Sequence, residues 1–171
     1  MNQHLRRKLT LRAHEEQVVF VKHAQERIEH VWMKAFLWAL YLPDYPDLSV
    51  EVSVEDKYKP DVVQRAPMRR TPMRKTMVFW GEAGVVGNDK VEDLIRRYPD
   101  THFAFMQWNR SLNPLREQVE AAVHSVSRQA PIDLIRAPED AADRFVDDRG
   151  RVSLTFDDVH WTRVHNAESL R

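Results

Sequence analysis

Met77-Val78-Phe79-Trp80-Gly81-Glu82-Ala83-Gly84-Val85-Val86 is the stretch whose reading decides the fold. A short apolar run of this kind reads as a strand buried on both faces. Strands buried on both faces belong to sheets that helices cover on both sides. Glu82 is the only charge in the run, and a carboxylate in such a strand requires a cation or a proton. A second acid, Asp61, lies in another apolar run, Lys59-Pro60-Asp61-Val62-Val63. Two carboxylates on neighbouring strands repel each other unless a metal, a lysine or a proton sits between them. Hard divalent cations suit an all-oxygen site of this type.

Outward from that strand, the chain alternates between elements. Arg7 to Leu11 reads as a short strand, and a long helix is expected from about Ala13 to Tyr41. From Ile28 to Leu42 the run is apolar except for Glu29, His30 and Lys34, so this helix is expected to be buried on most sides. Pro43, Asp44 and Pro46 end it. Leu48 to Val54 alternates strictly, as a half-exposed strand does. Pro60 to Val63 begins another strand, and Gln64 to Thr76, with two prolines, reads as a loop. A helix is expected from Lys90 to about Tyr98 and a strand from His102 to Trp108. Asn113-Pro114 opens a further helix to about Ser127, with the proline at the first helical position. Ile132 to Ile135 is the last strand. The expected fold is α/β, a mixed central sheet with helices on both faces. Residues 1–138 form its core. Residues 139–171 form an acidic extension with a hairpin turn at Asp147-Asp148-Arg149-Gly150.

The 171 residues are 43% apolar and 30% charged, a globular composition. Cysteine is absent, which excludes disulfides, thiolate zinc sites and a cysteine nucleophile and suits a reducing, cytoplasmic location. No secretory signal is visible at the N-terminus, and the apolar stretch from Val31 to Leu42 is too short to span a bilayer. Net charge is zero, but 14 Lys/Arg against 10 Asp/Glu give residues 1–76 a charge of +4, and residues 77–171 carry −4. Zero net charge argues mildly against a dedicated DNA binder, while the asymmetry leaves room for a local basic surface.

A helix, a hairpin ending in Pro60-Asp61 and a buried strand ending in Trp80-Gly81-Glu82-Ala83-Gly84 resembles the PD-(D/E)xK, or restriction-endonuclease-like, superfamily. Within it the chain resembles the YaeQ-like family, through those motifs and through Glu29-His30-Val31-Trp32-Met33-Lys34-Ala35-Phe36-Leu37-Trp38-Ala39-Leu40 in the first helix. The resemblance covers roughly residues 10–138. It implies a Mg²⁺ or Mn²⁺ site of Asp61, Glu82 and the Ala83 carbonyl, acting on DNA or RNA phosphodiesters. The superfamily places a lysine two residues after the strand glutamate, where this chain has Gly84. The resemblance gives that role to Lys90, and Glu29 is the acid such folds add from the helix. A lysine in a helix's first turn is electrostatically misplaced, which favours a special role.

Structural roles compete with each of these. Asp61 after proline is suited to accepting backbone hydrogen bonds. Glu82 is suited to pairing with an arginine or lysine. Glu29, on the face of Trp32, Met33 and Phe36, is suited to pairing with Lys34 or with the metal site. Arg65, Arg69, Arg70, Arg74 and Lys75 form a basic loop beside the acids, which reads either as contacting nucleic-acid phosphates or as a solvated, mobile loop. The histidines show no zinc-binding spacing and read as ordinary surface or satisfied residues. No phosphate loop, dinucleotide fingerprint or nucleophile elbow occurs. The expected function is a metal-dependent nuclease. The alternative is an inactive scaffold of the same fold that binds nucleic acid or protein.

Overall fold

The computed structural model of the protein describes residues 8–164. Its order is β1 (Lys8–Ala13), β2 (Glu16–Val21), α1 (Ile28–Tyr41), β3 (Ser49–Val50), β4 (Val62–Pro67), β5 (Lys75–Ala83), α2 (Asn88–Arg97), β6 (His102–Trp108), α3 (Asn113–His124), β7 (Ile132–Ala137), α4 (Ala141–Phe145) and β8 (His160–Val164). Strands β3 to β8 form one six-stranded sheet in sequence order, while β1 and β2 form a separate hairpin. The β5–β6 and β6–β7 pairs are parallel, and the other pairs of this sheet are antiparallel. The expected mixed α/β sheet is the observed one.

The central strands carry an apolar side chain on nearly every residue because both faces are covered. Phe79, Ala104, Met106 and Ile135 pack toward α1. Trp80, Phe103, Phe105, Ile132 and Leu134 pack toward α2 and α3. Each fully buried residue of this size contributes roughly 1.5–3 kcal/mol. Helix α1 is buried without interruption from Val31 to Tyr41. The sheet covers one side, and Leu9, Leu11 and Phe20 of the β1–β2 hairpin join the same cluster, as do Phe145 and Leu154.

Three elements depart from the sequence expectation. The helix begins at Ile28, not near Ala13, because residues 8–21 form the β1–β2 hairpin. Its turn places His14 and Glu15 at φ +49° and +71° without a glycine or asparagine to announce it. The alternating stretch from Leu48 yields only the two-residue β3. Glu51 takes φ +54°, and the alternation changes sides there: Val50 packs toward α1, but Val52 and Val54 pack toward α2. The region from Gln64 to Thr76 is mostly strand, with a loop only at residues 68–74. Proline is tolerated here because Pro67 is the last residue of β4.

Beyond residue 138 the chain returns to the sheet. The turn at Asp147 to Gly150 is formed, with Val146 opposite Val152. Gly150 docks against β1, and Arg12 donates its backbone N–H to the Gly150 carbonyl at 2.9 Å. β8 then pairs with β7 as the sixth strand. Buried Asp133 ties this edge together, accepting from Tyr41 at 2.6 Å, His102 at 2.7 Å and Arg163 at 2.7 Å. Among the described residues no helix is long and apolar enough to cross a membrane.

Candidate phosphodiester site at the strand ends

In an open α/β sheet, functional groups gather beyond the carboxyl ends of the parallel strands. Here that edge carries Ala83 and Gly84 after β5, Trp108 after β6, the start of antiparallel β4 and the first turn of α1. The β4–β5 register puts Val62 opposite Gly81, so Asp61 arrives beside Glu82. Asp61 Oδ2 accepts the backbone N–H of Ala83 at 2.8 Å, and the Asp61 N–H donates to Gly81 at 3.1 Å. The backbone-accepting role expected of an acid after proline is therefore filled. Asp61 Oδ1 takes no hydrogen bond among the described residues.

Glu82 points to the α2 face, next to Trp80, and is 4% exposed. Its Oε1 accepts the indole N–H of Trp80 at 2.8 Å. The ammonium of Lys90 lies 3.1 Å from each of its oxygens. Burial and the neighbouring Asp61 charge raise the Glu82 carboxyl above the usual range, and Lys90 and Trp80 oppose that rise. Lys90 is the third residue of α2, where the helix dipole disfavours a cation, and Glu82 offsets the cost. The Lys90 ammonium also lies 5.3 Å from the centroid of the Tyr58 ring. The segment carrying Tyr58 is clamped to α2 by Asp56, which pairs with Arg97 and Tyr98, and by Lys57 with Asp93 at 3.1 Å.

At Gly84, where the resemblance expects a lysine, the backbone disfavours any side chain. It takes φ +90°, in the region that side-chain-bearing residues rarely adopt. A lysine two residues after Glu82 would strain the turn out of β5, whereas the first turn of α2 brings an ammonium to the same carboxylate.

The helix supplies a different residue from the one expected. His30 Nε2 stands 3.7 Å from Asp61 Oδ2, too long for a hydrogen bond and close enough for charge pairing. Its Nδ1 meets Glu26 Oε2 at 2.5 Å. Asp61 first, then Glu26, raises the imidazole above its ordinary value against the effect of burial. Glu26 also accepts from buried Lys34 at 2.7 Å, and Lys34 pairs with Glu51 as well. Lys34, Glu26, His30, Asp61, Glu82 and Lys90 thus form a string of charges along the strand ends, in which cations flank the two neighbouring carboxylates Asp61 and Glu82. Glu29 is outside it. Its expected pairing with Lys34 is not made, because α1 starts only at Ile28 and Glu26, just before the helix, reaches the ammonium instead. Glu29 lines a cleft of about 510 Å³ with His30, Met33, Gly84, Trp108 and Arg110. The signal for His30 was present in its position, one residue after Glu29 in the helix. The absence of zinc spacing concealed it.

The basic residues lie elsewhere than beside the acids. Asp61 and Glu82 sit at the open end of the β4–β5 hairpin, while Arg69, Arg70 and Arg74 sit in its closing loop beyond the Pro67–Lys75 pair. Five residue steps from Val62 to Pro67 separate the two ends by about 17 Å.

The fold has solved relatives. The crystal structure of YaeQ protein from Pseudomonas syringae superposes with a TM-score of 0.55 at 14% identity, over 90% of this chain and 89% of that one. The chain has a YaeQ-like fold. YaeQ protein from Xanthomonas axonopodis pv. citri superposes with a TM-score of 0.50 at 13% identity, over 75% of this chain and 72% of that one. No family model matches the sequence, and no curated protein matches it.

Proposed function

We propose that the Asp61–Glu82–Lys90 cluster is the site of a Mg²⁺- or Mn²⁺-dependent nuclease of PD-(D/E)xK type, hydrolysing nucleic-acid phosphodiester bonds. The observation that carries this reading is the ammonium of Lys90 on both oxygens of Glu82. It supplies from α2 the cation that Gly84 does not provide, beside a second carboxylate at the sheet's carboxyl edge.

The donor set suits a small hard cation. Among the described residues no three His, Asp or Glu side chains are placed to hold a metal. Magnesium is commonly held by one or two carboxylates and completed by water and substrate phosphate. Asp61 Oδ1, a Glu82 oxygen and the Ala83 carbonyl would be its protein ligands. A bound divalent ion supplies charge neutralisation at the phosphate and a water of lowered pKa. The chain's own groups hold the rest in place. The Ala83 N–H fixes the Asp61 carboxylate. Lys90 keeps Glu82 ionised and places a positive charge where the phosphorus gains negative charge. His30 faces both Asp61 and the cleft, with Glu26 orienting its ring. The lack of cysteine fits action in the reducing cytosol.

A second reading is favoured by one observation: Asp61 and Glu82 already have partners in Ala83, Trp80 and Lys90. On that reading the protein is an inactive scaffold that binds nucleic acid or protein. Calorimetric titration with Mn²⁺, followed by incubation with labelled DNA and RNA, separates the two. The nuclease reading expects Mn²⁺ binding lost in Asp61→Asn and cleavage lost in Asp61→Ala and Glu82→Ala. Cleavage that persists in both alanine variants removes these residues from the reaction, and no ion binding leaves the scaffold.

A further inference from the structure

The β4–β5 hairpin carries five cations, and Arg65, Arg69, Arg70, Arg74 and Lys75 make no ion pair among the described residues. Lys22, Lys59 and Arg136 elsewhere are also without an ion pair among the described residues, but other cations are paired. Lys34, Lys57, Lys90, Arg97 and Arg163 are each matched to a carboxylate. The unmatched cations of the hairpin are held in a defined shape. The Met68 N–H donates to Arg74 and the Arg74 N–H to Thr71, both at 2.8 Å, which closes the tip. A groove of about 700 Å³ runs against the hairpin, lined by Arg65, Arg74, Lys75, Met73 and Met77 with Glu55 as its one acid. Arg65 is paired with Met77, and Met77 packs in the cluster of Trp80 and α2. The groove therefore opens on the face of the sheet to which Glu82 and Lys90 belong. Met73, 96% exposed, adds an apolar contact at its mouth.

Unpaired cations in a concave surface fit a polyanion, since binding phosphates releases their counterions. The groove lies about 17 Å along the hairpin from the acids, a span that takes several nucleotides of an extended single strand. We propose that this groove is a second, distal phosphate subsite, holding the backbone of a nucleic-acid strand several nucleotides from the bond positioned at Asp61 and Glu82. The distal contact rests on the groove alone. The bond at the other end rests on the nuclease reading. A dinucleotide, with one internal phosphate, cannot reach both places, so the protein discriminates by length.

The test is anisotropy of fluorescein-labelled single-stranded oligonucleotides of 2 and 14 nucleotides, without divalent ions, across a range of salt. The variants are wild type and the triple change Arg65→Ala, Arg74→Ala, Lys75→Ala, with unfolding temperature as a folding control. The expected result is at least a tenfold loss for the 14-mer and little change for the dinucleotide. The slope of log affinity against log salt should shrink by about two to three. Photocrosslinkers at Met73→Cys and Val85→Cys should mark different nucleotides, several positions apart on one strand. Unchanged 14-mer binding in the triple variant overturns the proposal, as do crosslinks to the same nucleotides. A 14-residue poly-glutamate that binds as tightly as the 14-mer overturns it in favour of an acidic protein partner. Length-dependent binding without cleavage in Mg²⁺ or Mn²⁺ sinks only the nuclease reading. Cleavage with no effect of the triple variant on binding sinks only the distal subsite.

Discussion

The ammonium of Lys90 lies 3.1 Å from both carboxylate oxygens of Glu82, although eight residues and the end of a strand separate them. Lys90→Met leaves a desolvated carboxylate without its cation. Glu82 then rises further, from a value already raised by burial and Asp61. A raised carboxyl binds its proton more tightly in the folded state. Its contribution is present below the unfolded value of 4.5 and is lost as pH climbs through the folded value. The variant should therefore lose about 2 kcal/mol at pH 8 and much less at pH 5. Urea unfolding at the two pH values measures this, and equal losses would show that Lys90 does not hold the charge on Glu82.

Gly84 tests whether the lysine was displaced for backbone reasons. At φ +90° a side chain costs about 1 kcal/mol, although space itself is open, with only His30 at 3.7 Å. Gly84→Lys should lower stability by about that amount. On the nuclease reading, the double variant Gly84→Lys, Lys90→Ala should not cleave where the wild type does. Wild-type cleavage by the double variant would refute the displacement account.

Lys34 is 2% exposed and neutralises Glu26 and Glu51 together. Burial alone would lower its pKa, and the two carboxylates more than reverse that. Lys34→Met strands two carboxylates and should cost about 3 kcal/mol. Adding Glu26→Gln and Glu51→Gln should return most of the loss. Denaturant midpoints of the single and triple variants decide, and a triple variant no better than the single one contradicts the pairing.

Asp133 sets an acid limit. Burial would raise its carboxyl, but His102, Arg163 and Tyr41 hold it at about 2, below the ordinary 3.8. A depressed carboxyl contributes stability above its unfolded value that disappears as pH falls through the folded one. About 2 kcal/mol should therefore be lost between pH 4 and pH 2. Asp133→Asn should be less stable at neutral pH and flatter across that window when thermal unfolding is followed by circular dichroism.

Gly150 takes φ +79°, and a Cβ there would stand 2.5 Å from the Thr10 carbonyl oxygen. Gly150→Ala should cost about 2 kcal/mol by pushing the 147–150 turn off β1. Unfolding temperature reads it directly, and an unchanged value would mean that this turn is not held against β1.

The local pattern of the chain determined the sheet and its covering. Runs such as Met77 to Ala83 and His102 to Trp108 are apolar at nearly every position because helices occupy both faces, and that requirement is written residue by residue. It also determined that Glu82 needs a cation and that Lys90 is poorly placed unless it has an anion. Other features depend on backbone torsions that the local pattern does not announce. His14 and Glu15 turn with positive φ, so a hairpin stands where a helix pattern was read. Glu51 does the same and ends a strand whose alternation continues. Only the tertiary structure decided which ions meet, because charges act through space between residues far apart in the chain. It brought His30 to Asp61, gave Lys34 to Glu26 rather than Glu29, and set the arginine loop at the far end of the hairpin whose open end holds the acids.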